Sequence, residues 1–153
     1  MHKVNIVSEK EARSEKEITT YLDSLPKRTR ADMETLHNHI MALMPECELW
    51  FLDGKDGTGK IVSNPSIGYG IQKLTYANGR TKDFYQIGIS ANTSGISVYI
   101  MGLTDKTYLP NHYAQDLQKA SVTSYCIKFK KLLDLDFNTL ERAITDGIKQ
   151  TSD

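Results

Sequence analysis

Residues 67–100 read IGYGIQKLTYANGRTKDFYQIGISANTSGISVYI, and this stretch decides the fold. Ile67, Tyr69 and Ile71 alternate with Gly68 and Gly70, the period-2 pattern of a half-buried strand. That strand is expected to run on to Tyr76. Asn78-Gly79 then predicts a two-residue hairpin of type I′, because both central positions of such a turn need positive φ. The returning strand is expected to carry Tyr85, Ile87 and Ile89 on one face. A second turn over residues 92–95 leads into Ile96, Val98 and Ile100, again alternating. Consecutive strands joined by short turns pair antiparallel, so the stretch predicts a meander with one apolar face and one mixed face.

Helical periodicity flanks this meander. On the N-terminal side, residues 1–13 lack a sustained apolar period and read as a loose arm. Ser14 and Glu17 have the spacing of a capping box, and Ile18, Tyr21, Leu22 and Leu25 follow at i, i+3, i+4 and i+7. Beyond Pro26, a second helix places Met33, Leu36, Ile40 and Leu43 or Met44 on its inner face and stops before Pro45. The apolar run over residues 47–52 is a further strand, followed by a polar, glycine-rich loop over residues 53–64. On the C-terminal side, residues 108–119 read as a helix, and Tyr125, Ile127 and Phe129 alternate as a last strand. Asp136 caps a closing helix with Phe137, Leu140, Ile144 and Ile148 inward. The prediction is a single α+β domain over residues 14–150. It has two layers: a mainly antiparallel sheet, and an N-terminal helical hairpin with a C-terminal helix.

Composition narrows the function classes. The chain has 153 residues, with Lys+Arg 19 against Asp+Glu 19 and a formal net charge of zero. Nucleic-acid binding needs a surplus of cations, so nucleic acid is not expected as a partner. No apolar run approaches the roughly 20 residues that cross a bilayer, and the polar start after Met1-His2-Lys3 does not read as a signal peptide. The two cysteines, Cys47 and Cys126, are far apart and read as reduced, half-buried thiols. A cytoplasmic protein without membrane contact is the expectation.

The tempting motifs fail on chemistry. Gly54-Lys55-Asp56-Gly57-Thr58-Gly59-Lys60 ends in Ile61, where a phosphate loop needs Ser or Thr for magnesium, and Pro65 opposes the helix such a loop must open. His37 and His39 would lie about 200° apart on a helix and cannot chelate one ion. His37 is read as abutting the apolar stripe and His39 as facing water. No closed metal site follows from four scattered histidines and two distant cysteines. The carboxylates around residues 9–17 are interleaved with cations and read as a solvated helix face. More informative are Trp50 and the strand tyrosines Tyr69, Tyr76, Tyr85, Tyr99 and Tyr125, which read first as core and cross-strand packing, while aromatic walls also suit a small-molecule pocket. Trp50, Tyr69, Tyr85, Cys126 and Lys128 are the ligand-binding candidates.

A resemblance adds to this reading. Four segments carry most of it: Asn64-Pro65-Ser66-Ile67-Gly68-Tyr69-Gly70, Tyr76-Ala77-Asn78-Gly79-Arg80, Ile87-Gly88-Ile89-Ser90 and Tyr125-Cys126-Ile127-Lys128-Phe129-Lys130-Lys131-Leu132. Together with Leu25-Pro26-x-x-x-Arg30, Asp134-Leu135-Asp136 and Leu140-Glu141, they resemble the YdhG-like domain family over residues 17–148. The resemblance implies a small α+β domain of unknown function, some of whose relatives look like frataxin-like intracellular iron chaperones. Two loops depart from the family pattern. Asn92-Thr93-Ser94 stands where many members carry Pro-Arg-Lys, and residues 118–125 keep only Lys119 of a Gly-Lys-x-x-x-Gly-Lys-Ser loop. An anion grip built by those residues is therefore expected to be lost. Residues 53–63 are an insertion.

Three functions remain open at this stage. The first is a non-enzymatic domain binding a small ligand or a metal, with iron implied by resemblance alone and held by exposed carboxylates. The second is a small enzyme whose pocket is lined by Trp50, Tyr69, Tyr85 and Lys128, with Cys126 as nucleophile. The third is a protein-interaction module using residues 53–63.

Overall fold

The computed structural model describes residues 9–152, with side chains from residue 12 onward. The first eight residues of the expected arm lie outside the described residues. Residues 9–13 are not an arm but the opening turns of α1 (Glu9–Asp23). Ser14 is therefore buried inside the helix and does not cap it. The stripe Ile18, Tyr21 and Leu22 is buried as its spacing predicts. Pro26 opens α2 (Lys27–Leu43), whose Met33, Leu36 and Ile40 are inaccessible or nearly so. The Arg30 guanidinium donates twice to the Leu25 carbonyl, at 3.0 and 3.3 Å, and clasps the turn between the helices.

The strands are β1 (Leu49–Leu52), β2 (Ser66–Tyr69), β3 (Gln72–Thr75), β4 (Thr81–Phe84), β5 (Ile87–Asn92), β6 (Gly95–Ile100), β7 (Ser121–Val122) and β8 (Cys126–Phe129). Six of them form one antiparallel sheet in the order β1-β2-β5-β6-β8-β7, and β3 and β4 make a separate two-stranded ribbon. The expected continuous strand from Ile67 to Tyr76 is thus two strands. Gly70 breaks it with φ of 79°, and Ile71 is half exposed. The Asn78-Gly79 hairpin is real but is not type I′. Gly79 takes φ of 82° and Asn78 stays out of the positive region, while Gly79 N–H bonds Tyr76 O and Tyr76 N–H bonds Arg80 O. That is the three-residue loop in which a type I turn is followed by a left-handed glycine.

Register puts the core on one face. Ile67, Ile89, Val98 and Ile127 are successive partners across β2, β5, β6 and β8, and Tyr69, Ile87 and Ile100 form the next row. Each of these side chains is inaccessible to solvent. They share one hydrophobic core with α1, α2, α3 (Tyr108–Tyr113) and α4 (Phe137–Thr151). All four helices therefore cover the same side of the sheet, and the architecture is two-layered α+β. Asp136 caps α4 as expected, accepting the Asn138 amide at 3.1 Å. The helix expected over residues 108–119 ends early, at Tyr113, and gives way to turns. The two-residue β7 had no periodicity by which to be predicted. Among the described residues, no helix is long and apolar enough to cross a membrane.

Candidate functional site

The sheet face opposite the helices gathers most of the predicted site. Side chains alternate along a strand, so residues one step out of phase with the core row face away from it. Trp50, Gly68, Gly88, Tyr99 and Cys126 are successive cross-strand partners in one such row. The neighbouring row on this face holds Ser66 opposite Leu52, and Ser90, Ser97, Lys128 and Ser121 as successive partners. Trp50, Cys126 and Lys128 thus share a face, as a common site requires.

Tyr85 joins them by an irregularity. Strict alternation would place it with Ile87 and Ile89 on the core side, as the sequence predicts. At Tyr85-Gln86, however, the chain passes from the small ribbon into the main sheet. The Gln86 side chain turns toward α4, donating to Thr151 Oγ1 at 2.9 Å and Ser152 Oγ at 3.1 Å. Tyr85 goes the other way and lays its ring over Gly68 and Gly88, on the face away from the helices. A Cβ added at Gly68 would fall 2.2 Å from Tyr85 Cδ2, and one at Gly88 would fall 2.5 Å from Cε1. These two paired glycines exist to admit the ring. Phe84 stacks on Tyr85 at 4.1 Å and meets Trp50 at 5.9 Å, while Trp50 Nε1–H donates to the Gly70 carbonyl at 2.8 Å. Tyr99 and Tyr125 stack at 6.3 Å, with Tyr125 half exposed.

Tyr69 does not join them. It lies one residue beyond Gly68, on the core side, fully buried, with its hydroxyl 2.7 Å from His37 Nδ1. The pocket expected between Trp50, Tyr69, Tyr85 and Lys128 is therefore divided by the sheet itself. Burial drives the Tyr69 phenol well above the ordinary tyrosine range and lowers the His37 imidazole. This pair is a structural hydrogen bond inside the core. His39, expected to face water, is only partly exposed. Its ring sits edge-on to Phe137 at 4.8 Å, and its Nε2 is 3.0 Å from Glu141 on α4.

Burial dominates the electrostatics of the uncovered face. Burial pushes the Cys126 thiol up, and the Ser97 hydroxyl and the Lys128 ammonium only partly offset it. Burial likewise pushes the Tyr85 phenol up to about 12, against a hydrogen bond with Ser66, with Tyr99 and Cys126 adding to the rise. Cys47 is also half-buried, and burial raises its thiol. Among the described residues, no three of His, Cys, Asp and Glu converge on a point that could hold a metal ion.

Beyond the aromatic end, the face runs into a cleft of about 430 Å³ beside Lys128, lined also by Lys119, Lys130, Ser94 and Ser121. A ligand cleft of that size is ordinary for a small molecule. Lys128 is the one sequence-predicted candidate that lines it. Lys130 continues the alternating phase of Lys128 and reads in the sequence as part of a basic stripe on an exposed strand face, whereas nothing local to Lys119 shows that it meets the β5–β6 turn; neither was predicted as a site residue. Residues 53–63 form a loop closed by a bridge between Lys55 and Ile61, with Ile61 and Val62 exposed.

Comparison with protein-family models, with curated proteins and with solved structures finds no match to this chain.

Proposed function

We propose that this is a non-enzymatic domain that binds a small ligand carrying a flat apolar part and an acidic group, on the sheet face left uncovered by the helices. One observation carries the reading: an aromatic floor and a lysine-lined cleft are neighbours on that face. Tyr99 and Cys126 lie one row from Lys128, about 7 Å along the strand, and Lys128 borders the cleft. The aromatic side chains offer stacking area and the lysines a counter-charge. Cys126, whose thiol burial raises, favours binding over catalysis. The resemblance to the YdhG-like family supports the reading through its implied architecture alone. The likeness of some relatives to iron chaperones contributes nothing to it, because the reading rests on the aromatic rings and lysines of this face.

The test uses 4-nitrophenyl phosphate, which combines a ring with an acidic group. Titration followed by amide NMR is expected to give saturable shifts at residues 97–99 and 126–128, with no release of the yellow phenolate. Shifts scattered over the surface would overturn the site. Turnover of the probe that is abolished in Cys126→Ser would overturn the non-enzymatic reading.

A further inference from the structure

A second cationic cleft lies against the first. The one beside Lys128 contains Lys119, Lys128 and Lys130 and a single carboxylate, Asp134. On the helix side of the β5–β6 turn, a cleft of about 510 Å³ is lined by Arg28, Lys131 and again Lys130, with Thr29, Asn92 and Ser94. Lys130 and Ser94 border both. Five cations thus meet one acidic side chain along two joined clefts, in a chain whose formal charge is zero. Asp32, one turn along α2 from Arg28, is engaged by the Leu132 amide at 3.1 Å.

The turn is held in place by Gly95. Its φ is 147°, and a Cβ there would fall 2.4 Å from the Phe129 carbonyl oxygen. Such contact presses the turn onto the end of β8 and leaves Lys130 as the wall between the clefts. Asn92-Thr93-Ser94 is neutral, but α2, β8 and residue 119 supply the cations around it. Arg28 stands in the first turn of α2, which contains no acidic residue. Cations are unfavourable at that end of a helix, so helix stability does not account for the placement.

We propose that the ligand carries two anionic groups of the phosphate type, one in each cleft, with Lys130 between them. This rests on the reading that the domain binds an acidic ligand beside Lys128, and it adds the second charge and the second cleft. A ligand that fills both sites gains because its second group binds intramolecularly.

The experiment compares inorganic orthophosphate with inorganic tripolyphosphate by calorimetry at low ionic strength, using the full chain. Tripolyphosphate is expected to bind about ten-fold tighter or more. Arg28→Gln should erase that advantage while leaving orthophosphate binding in the Lys128 cleft. Lys130→Gln should weaken both anions. Lys73→Gln, in the β3–β4 ribbon where Lys73 pairs with Asp83, should change neither. Urea midpoints of all variants show that each is folded. Equal affinities for the two anions, or an effect of Lys73→Gln matching that of Lys130→Gln, would overturn the two-cleft inference. If 4-nitrophenyl phosphate still bound beside Lys128, the single-anion reading would survive that failure. Absence of any anion binding, with folded protein, would overturn both.

Discussion

Replacing Gly88 by alanine tests how the uncovered face is built. The new Cβ would stand 2.5 Å from Tyr85 Cε1, 2.6 Å from Cζ and 2.8 Å from the phenol oxygen. Carbon atoms settle at about 3.5–4.0 Å, so the ring must move by about 1 Å or leave. Tyr85 is only 4% exposed and is held between the sheet and Phe84. Overpacking of this kind costs about 1–3 kcal/mol, and full expulsion of a buried side chain costs about 1.5–3 kcal/mol. Alanine recovers about 0.5–1 kcal/mol in a strand interior, because glycine loses more freedom on folding. The net expectation is a loss of about 1–2 kcal/mol, or about 3–6 °C in Tm for a domain of this size. In a Tyr85→Ala background the ring is gone, and the same Gly88→Ala change should be neutral or slightly stabilising. The coupling energy of the double-mutant cycle is then about 2 kcal/mol. Urea unfolding followed by Trp50 fluorescence, with far-UV circular dichroism as a second probe, measures all four corners. A coupling below about 0.5 kcal/mol, the additivity limit, would refute the placement of Tyr85 over the paired glycines.

Three further outcomes are expected. Asp146 on α4 accepts hydrogen bonds from Tyr108 and from Tyr113 at 2.8 Å, with Gln150 at 3.2 Å; burial raises its carboxyl, but these donors outweigh it and hold it below the ordinary value of 3.8. Its contribution is present above that value and lost as pH falls through the lowered native one, so Asp146→Asn should cost about 1–2 kcal/mol near neutrality and flatten the acid limb of a pH–stability curve below pH 3.8. Tyr69→Phe should cost about 1 kcal/mol in urea unfolding, since it strips the half-buried His37 Nδ1 of its partner. Because burial lowers the His37 imidazole, its neutral form stabilises the fold above the ordinary value of 6.5, and that share should fade as pH drops through the lower native value; a flat profile there would contradict the burial of the ring. Finally, in a Cys47→Ser background, Lys128→Gln should slow alkylation of Cys126 by iodoacetamide, because Lys128 is one of the groups restraining the rise of that thiol; an unchanged rate would place the ammonium too far away to act.

Most of the scaffold was legible in periodicity. Ile18, Leu36, Ile67, Ile89, Val98, Ile127 and Leu140 are buried where period 3.6 or period 2 places them, because burial of a repeating face is a property of neighbouring residues. The points missed were breaks in period. Gly70 ended a strand that the alternation carried through, and the bend at Tyr85-Gln86 reversed the facing of Tyr85. Local pattern cannot register a change of sheet, since the same alternation continues on both sides of it.

The candidate site divides along the same line. The sequence by itself determined the α+β class, the helical hairpin, the Asp136 cap and the in-phase pair Cys126 and Lys128, all of which depend on spacing within one segment. Only the tertiary structure decided that Tyr69 and Tyr85 stand on opposite faces, and that Gly68 and Gly88 pair beneath one ring. It also brought Arg28 of α2, Lys119 and the lysines at the end of β8 around a neutral turn. The physical reason is register: which strands pair, and in what phase, is set by the summed burial of the whole core. That sum fixes where distant charges and rings meet, and no single segment contains it.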